Sequence, residues 1–162
     1  MSTGVGLGPN TQYAGFWRRV AATIIDTIIW LPLLLMILYL IYGPAYFQWL
    51  MEDHSIYAVY GLADGLVSYL LPIIATVLLW VKFLGTPGKL LLDCHVVHAD
   101  TGKPLSIGRA LLRYVAYYIS MLPLMLGLLW VGWDKRKQGF HDKIANSVVV
   151  IGKDSIETLE DL

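Results

Sequence analysis

Three long apolar runs constrain what this 162-residue chain can fold into. They cover residues 20–42, 65–81 and 114–133, and aromatic residues stand near their ends. A helix needs about 20 apolar residues to cross the roughly 30 Å of hydrocarbon in a bilayer, and each run approaches that length. The chain is 57% hydrophobic and only 15% charged, whereas soluble domains average about 25% charged residues. The pattern predicts an all-α integral membrane protein whose first partner is the lipid bilayer.

The positions of the basic residues predict how the chain threads the membrane. Residues 20–81 contain no Lys or Arg, so all twelve basic residues lie outside that stretch. By the positive-inside rule the N-terminus is cytoplasmic and the loop 43–64 lies outside. The first transmembrane helix is then 20–42 and the second is 65–84. The segment 85–113 that follows is cytoplasmic.

The third run, residues 114–133, either crosses the bilayer or dips in and returns. A crossing would place the five basic residues that follow it outside, whereas a hairpin leaves all twelve cytoplasmic. Pro123 removes a backbone donor in the middle of the run, and Gly127 adds a second weak point. Each half is about nine residues, or roughly 13 Å of helix, which is too short to span. We therefore favour a Pro-broken re-entrant segment over a third crossing, followed by a cytoplasmic C-terminal segment, 134–162.

Two stretches predict a small cytoplasmic β element. Cys94–His98 leads into the turn signal Asp-Thr-Gly-Lys, and Ser147–Ile151 is dense in β-branched residues. Both are cytoplasmic if the third run returns, so we expect them to pair. Cys94 and His98 would share one face of a strand, but two ligands are too few for a structural zinc site, and no metal site is expected.

Asp26 is the one charge in the first run. An ionisable side chain that faces lipid costs several kcal/mol, so such a residue is a candidate functional site that faces protein or water. Arg19 lies roughly 10 Å away along the helix axis. We therefore expect a donor from another segment, with Arg113 at the start of the third run as the first choice. A carboxylate at this depth either carries a proton or cation, or orders the helices as a structural pair.

Polar residues at the membrane edge give further candidates. His141 beside Asp142 can shuttle protons, although an Asp in this position more often caps a helix or pairs with a base. Basic residues next to a membrane commonly contact anionic lipid headgroups. We expect headgroup contacts from Arg18, Lys135, Arg136 and Lys137.

The motifs AGFWRRVAATIID, GTPGKLLLDCHVVHADTGKPLSIGRALLR and WDKRKQGFHDKIANSVVV, in this order, resemble the RDD family of small multi-pass bacterial membrane proteins. The resemblance covers residues 13 to 151. The family takes its name from one arginine and two aspartates, which match Arg19, Asp26 and Asp142 here, with Asp134 as the competing match for the last. It implies a specific partner for Arg19, either Asp26 or Asp142. It also implies a location in the bacterial cytoplasmic (inner) membrane.

The resemblance implies a transport-associated function, including cation/proton exchange, with Asp26 as the intramembrane carboxylate. Two spans and a hairpin are too few segments to enclose a translocation pathway, so transport would require a homo-oligomer or a larger membrane complex. The alternative is a non-catalytic scaffold or accessory subunit, in which the Arg and Asp residues fix helix packing. No nucleophile arrangement supports an enzyme, no cofactor is expected, and twelve acidic residues balance the basic ones, so nothing draws the chain to nucleic acid.

Overall fold

The computed structural model describes Leu7 and residues 11–52, 58–123 and 125–152. Part of the predicted outside loop, residues 53–57, and the acidic end of the predicted C-terminal segment, beyond residue 152, lie outside the described residues. The described helices and strands are α1 (Phe16–Tyr42), α2 (Pro44–Leu50), α3 (Leu62–Gly65), α4 (Leu71–Phe83), α5 (Pro87–Leu91), β1 (Cys94–His98), α6 (Ile107–Met121), α7 (Leu126–Leu129), α8 (Phe140–Ile144) and β2 (Ser147–Ile151).

Two helical stretches are long and apolar enough to cross a bilayer, as the sequence predicted. Helix α1 has 27 residues, which corresponds to about 40 Å, and it begins at Phe16 rather than at residue 20. The second stretch covers Leu62–Leu91 and joins α3 to α4 through a π-helical turn at Leu66–Leu70. Few side chains of either stretch are buried, which agrees with an apolar surface that faces lipid.

The chain divides into two compact units. The first contains residues 1–26 and 76–162, and it holds α5 to α8 and both strands. The second contains residues 27–75, with α2 and α3. The ionic cluster described below belongs entirely to the first unit.

The predicted pairing of the two β-rich stretches is confirmed. Strands β1 and β2 are antiparallel, from Cys94 opposite Ile151 to His98 opposite Ser147. The first four residues of each strand are buried, because both faces of this small sheet pack against other elements of the unit. A two-stranded sheet is marginal by itself, so its stability depends on those neighbours.

The segment before α1 adds a third line of hydrogen bonds to the sheet. Tyr13 bridges to Val150, and the Ala14 N–H donates to the Val149 carbonyl at 2.8 Å. Ala14 is fully buried, so the start of the first span is fastened to β2. One side of the sheet contributes Val96 and Val149 to a core, and the other contributes Val97, Val148 and Val150.

Helix α6 and the helical stretch Leu126–Gly132 meet at an angle of 114°. The break between them contains Pro123, as predicted. Helix α6 begins at Ile107, before the apolar run, and the Ser106 hydroxyl caps it by accepting the Arg109 N–H at 3.4 Å. The first turns of α6 therefore occupy part of the segment that was expected to be a cytoplasmic connection.

The faces of α6 are arranged for a membrane environment. Its buried positions hold small or polar residues, and its exposed positions beyond Arg109 are apolar. The buried set is Ala110, Arg113, Ala116 and Ser120. Gly127 was predicted as a weak point, but it lies inside α7, where a Cβ would come within 2.8 Å of the Ser120 Cα. Gly127 instead lets α7 approach α6 closely.

The sheet decides between the two interpretations of the third run. Strand β1 precedes the bent helix pair and β2 follows it, yet the two strands are hydrogen-bonded to each other. A bilayer cannot lie between paired strands, so the bent pair starts and ends on the same face. This geometry favours the re-entrant hairpin.

Candidate functional site around Asp142

Asp142 is the centre of a buried ionic cluster. It lies near the start of α8 and has no exposed surface. Its Oδ2 is 2.5 Å from Arg19 Nη1, and its Oδ1 is 2.6 Å from Arg113 Nη1. Oδ2 also accepts the Gly139 N–H at 3.0 Å, so the carboxylate caps α8. One side chain therefore joins α8 to α1 and α6.

Arg19 makes three kinds of contact from the first turn of α1. Besides Asp142, its Nε donates to the Ala14 carbonyl at 3.0 Å, and its Nη2 donates to the Lys137 carbonyl at 2.6 Å. Lys137 has a φ of 52°, a left-handed conformation that a non-glycine residue adopts only when its surroundings hold it there. Of the two partners expected for Arg19, the structure selects Asp142.

Arg113 is the most deeply buried cation, with no exposed surface. Its Nη1 donates to the Ser147 hydroxyl at 2.5 Å, which connects α6 to the start of β2. Its guanidinium lies over the Trp80 ring at 5.1 Å and the Tyr117 ring at 5.8 Å. Aromatic faces attract a desolvated cation, so these two rings supplement the single carboxylate.

The charges of the cluster fix its protonation. Burial alone would raise the pKa of Asp142, but Arg113 and Arg19 outweigh burial and hold that pKa well below its usual range. Burial lowers the pKa of the neighbouring His141 to about 3, against the attraction of Asp142, so its ring is neutral at pH 7. The His141 ring stacks on Tyr117 with centroids 3.9 Å apart. It packs in the cluster as an uncharged aromatic group.

Asp26 does not contact Arg113, and the expectation of that pair is wrong. Asp26 Oδ2 accepts the Thr86 hydroxyl at 2.5 Å, and Oδ1 accepts the Gly88 N–H at 2.7 Å. Thr86 is the residue that precedes α5, so Asp26 caps α5 from outside. The donors do come from another segment, as expected. Arg113 is paired instead with Asp142 of α8.

The segment 85–89, Gly-Thr-Pro-Gly-Lys, contains residues that the sequence analysis missed. Gly88 allows α5 to contact α1, since a Cβ there would lie 2.1 Å from the Ala22 carbonyl oxygen. Lys89 is only 7% exposed and lies over the Trp80 ring at 5.6 Å. A Thr before a Pro marks a helix start, and this was the available signal for α5.

Two of the four residues expected to contact lipid headgroups make hydrogen bonds within the protein, and their headgroup contacts stay predictions. Arg136 donates to the Ala99 carbonyl, and Lys137 Nζ donates to the Gly132 carbonyl at 3.0 Å. Both carbonyls lie at the ends of secondary-structure elements, where no backbone N–H of the same element bonds to them. They therefore accept hydrogen bonds from these side chains. Arg18 is exposed, and its headgroup contact stays a prediction, as does that of Lys135.

The second unit contains a buried carboxylate that the sequence analysis did not single out. Asp64 is 4% exposed and accepts three hydrogen bonds, from Tyr46 Oη at 3.2 Å, Tyr60 N at 2.9 Å and Ser68 Oγ at 2.7 Å. Burial, followed by the Asp64 charge, raises the pKa of Tyr46, so the phenol keeps the proton that it donates. Tyrosines recurring near one Asp were the available signal.

These features define a helical membrane protein in which one buried Arg–Asp–Arg cluster fastens a small sheet to the first span and to a bent helix pair. The protein-family model described as "RDD family" matches residues 13–146, and the chain belongs to this family.

Two relatives match different shares of this chain. The chain is 31% identical over 147 residues to "Uncharacterized protein YxaI" of Bacillus subtilis (strain 168), covering 85% of this chain and 96% of that protein. It is 35% identical over 63 residues to "Proline-rich antigen homolog" of Mycobacterium tuberculosis (strain ATCC 25618 / H37Rv), covering 39% of this chain and 26% of that protein. No solved structure matches the chain.

Proposed function

We propose that this protein is a non-catalytic membrane scaffold or accessory subunit. The observation that carries the proposal is the Asp142 cluster, in which both carboxylate oxygens are held by arginines from two different helices. A carboxylate held this way stays ionised, and the two guanidiniums beside it repel a moving cation or proton. The cluster therefore serves to hold the sheet in a fixed position against the membrane helices.

Asp26 fits the same role. Both of its oxygens accept hydrogen bonds from the start of α5, so its contacts join α1 to the segment that leads into β1. The residues that give the family its name thus connect the sheet to the first span at two places. A rigid sheet on one membrane face is suited to contact a partner, either a second copy of this chain or another membrane subunit.

The orientation belongs to the same proposal. In a bacterial inner membrane, the positive-inside rule puts the sheet, Arg18, Lys103 and Lys135 on the cytoplasmic face. The partner would then be met in the cytoplasm, at the exposed turn between β1 and α6 that carries Lys103.

A site-specific photo-crosslinker at Lys103 tests the proposal in native membranes. We expect one adduct of defined mass, twice the protein mass if the partner is a second copy. An Arg113→Gln change should weaken the adduct because the sheet loses its anchor. A crosslinker at Lys82, exposed on α4, is the matched control and should give no such adduct. Heterogeneous adducts of similar intensity at both positions would contradict the scaffold function.

Proton- or cation-coupled transport is the second candidate, and one observation favours it. Asp26 is held by a hydroxyl and an N–H, not by a cation among the described residues, in an otherwise uncharged apolar run. Flux into liposomes that contain purified protein separates the two functions. A scaffold gives no flux above empty liposomes, whereas a carrier gives flux that Asp26→Asn abolishes without loss of folded protein.

A further inference from the structure

The first unit contains a cavity of about 420 Å³. This volume falls within the roughly 300–1,000 Å³ that small-molecule sites occupy. Most of its wall is apolar and comes from α1, the end of α6 and α7, including Val20, Ile24, Met121 and Leu128. The polar part of the wall is concentrated in a few side chains, among them Arg19, Lys89 and His141.

Lys89 is the cation of this cavity that lacks an anionic partner. It is 7% exposed and makes no salt bridge to a carboxylate of the described residues. Arg19 also lines the cavity, but its charge is already paired with Asp142. A buried ammonium group without an anion is costly, and the Trp80 ring at 5.6 Å offsets that cost only in part. The Lys89 ammonium group therefore gives the cavity an unpaired positive charge that can bind an anion.

His141 contributes its ring to the cavity wall. Its Nε2 is buried, 3.5 Å from Asp142 Oδ1, so this nitrogen faces the ionic cluster and not the cavity. The cavity thus offers the positive charge of Lys89 beside an apolar wall that includes this uncharged ring.

We propose that this cavity binds one anionic phospholipid, with its phosphate at Lys89 and part of an acyl chain against the apolar wall. A Lys ammonium binds phosphate as a point charge, and the bilayer around the spans supplies an amphiphile of this kind at high local concentration. The proposal goes beyond the scaffold function and does not depend on it, because a scaffold and a carrier can each hold a lipid.

Native mass spectrometry of the full-length, delipidated protein tests this site. The probes are dioleoyl phosphatidylglycerol, which is anionic, and dioleoyl phosphatidylcholine, which has the same chains without net charge. We expect a 1:1 adduct with the anionic lipid at a Kd at least tenfold lower than with the zwitterionic one. Oleate and inorganic phosphate are the competing probes, and each should bind at least tenfold more weakly than the anionic lipid.

Variants assign the binding to the cavity. Lys89→Gln should remove the preference for the anionic lipid, and Lys89→Arg should keep it. Lys82→Gln is the matched control, since Lys82 is an exposed lysine on α4, and it should bind as the wild type does. Ile24→Trp should weaken both lipids by filling the cavity, whereas Leu111→Trp, on the exposed face of α6, should not.

Several results would overturn the proposal. An unchanged preference in Lys89→Gln, or equal Kd values for the two lipids, removes the anionic site. Tighter binding of oleate or of phosphate alone identifies a different occupant. If Lys89→Gln does not fold, Ile24→Trp decides, because wild-type affinity in that variant means that the lipid binds elsewhere.

Discussion

At the scale of single residues, Asp142 shows why a buried charge is kept in a membrane protein. Its two oxygens meet Arg19 and Arg113, and Oδ2 also accepts the Gly139 N–H. Desolvating such groups costs several kcal/mol per ion, and Nε and Nη2 of Arg113 are buried without a hydrogen-bond partner among the described residues. The cluster therefore contributes little net stability when intact, but it becomes strongly destabilising when one member is removed.

Asp142→Asn should lower the free energy of unfolding by about 3–5 kcal/mol, because it leaves two buried guanidiniums with no anion. Thermal melting of the purified protein in a non-ionic detergent measures the loss. Asp93→Asn is the control, since the Asp93 side chain is 55% exposed and pairs with His95 at 3.1 Å. Its cost should stay below about 1 kcal/mol. Equal losses in the two variants would contradict the assignment of Asp142 as the centre.

His141 predicts a pH dependence with a definite sign. Its pKa is about 3 in the folded protein, against an ordinary value of 6.5. Between these values the unfolded chain binds more protons, so stability is full above about pH 6.5 and falls as the pH is lowered toward 3. Asp142 adds a loss of the same sign near and below pH 4, because its pKa in the folded protein is held below the usual range while the unfolded carboxyl takes up a proton there. The effect of His141 is therefore measured above about pH 4.5.

His141→Phe should flatten this dependence while keeping the ring that stacks on Tyr117. Melting temperatures between pH 7.5 and 4.5 give the comparison. The wild type should lose up to about 1.4 kcal/mol per pH unit across the window, the limit for one proton. A His141→Phe protein with the wild-type slope would show that another group causes the loss.

At the scale of elements, the close approach of α7 to α6 depends on one missing side chain. A Cβ at Gly127 would lie 2.8 Å from the Ser120 Cα and 2.9 Å from the Phe140 ring. Ser120 in turn accepts the His141 N–H at 3.0 Å, so the same contact positions α8. The bend after Pro123 reverses the chain, and Gly127 lets the reversed chain pack against the helix that it left.

Gly127→Ala should therefore destabilise the protein by roughly 1–3 kcal/mol through overpacking. Gly132→Ala is the matched control, since a Cβ there meets nothing within 4 Å. Detergent melting of both variants makes the comparison, with hydrogen exchange of α8 as a second measurement. If Gly127→Ala melts like Gly132→Ala, the two helices do not pack as closely as described.

At the scale of the whole molecule, the sheet and the bent pair together predict the topology. Strands β1 and β2 flank the bent pair in sequence and are bonded in space, so both ends of the pair lie on one membrane face. From the positive-inside rule we predict that this face is the cytoplasmic one. A membrane-impermeant maleimide on intact cells tests the topology at introduced cysteines.

Cysteines at Thr101 and Lys135, in a Cys94→Ala background, should react only after the cells are permeabilised. A cysteine at Met51, which follows α2 and is 87% exposed, is the matched control and should react from outside. Labelling of Lys135→Cys but not of Thr101→Cys in intact cells would mean that the third run crosses the bilayer.

The sequence by itself determined both spans, the break at Pro123 and the partnership of the two strands. These features depend on local pattern, since long apolar runs, a proline and β-branched residues act within a few turns of the chain. The family resemblance also picked out Arg19, Asp26 and Asp142 before any contact was known.

Only the tertiary structure decided which charges meet. Asp26 and Asp142 are both single carboxylates near arginines in the sequence pattern, so spacing could not distinguish their partners. The approach of α5 to α1 at Gly88 gives Asp26 a hydroxyl and an N–H, and the return of the chain after Pro123 brings Asp142 to both arginines. The Arg19–Asp142 pair joins residues 123 positions apart and depends on the reversal of the chain after Pro123, whereas the Asp26 contacts depend on the backbone clearance at Gly88. Neither the direction of a bend nor a close backbone approach is determined by local sequence pattern.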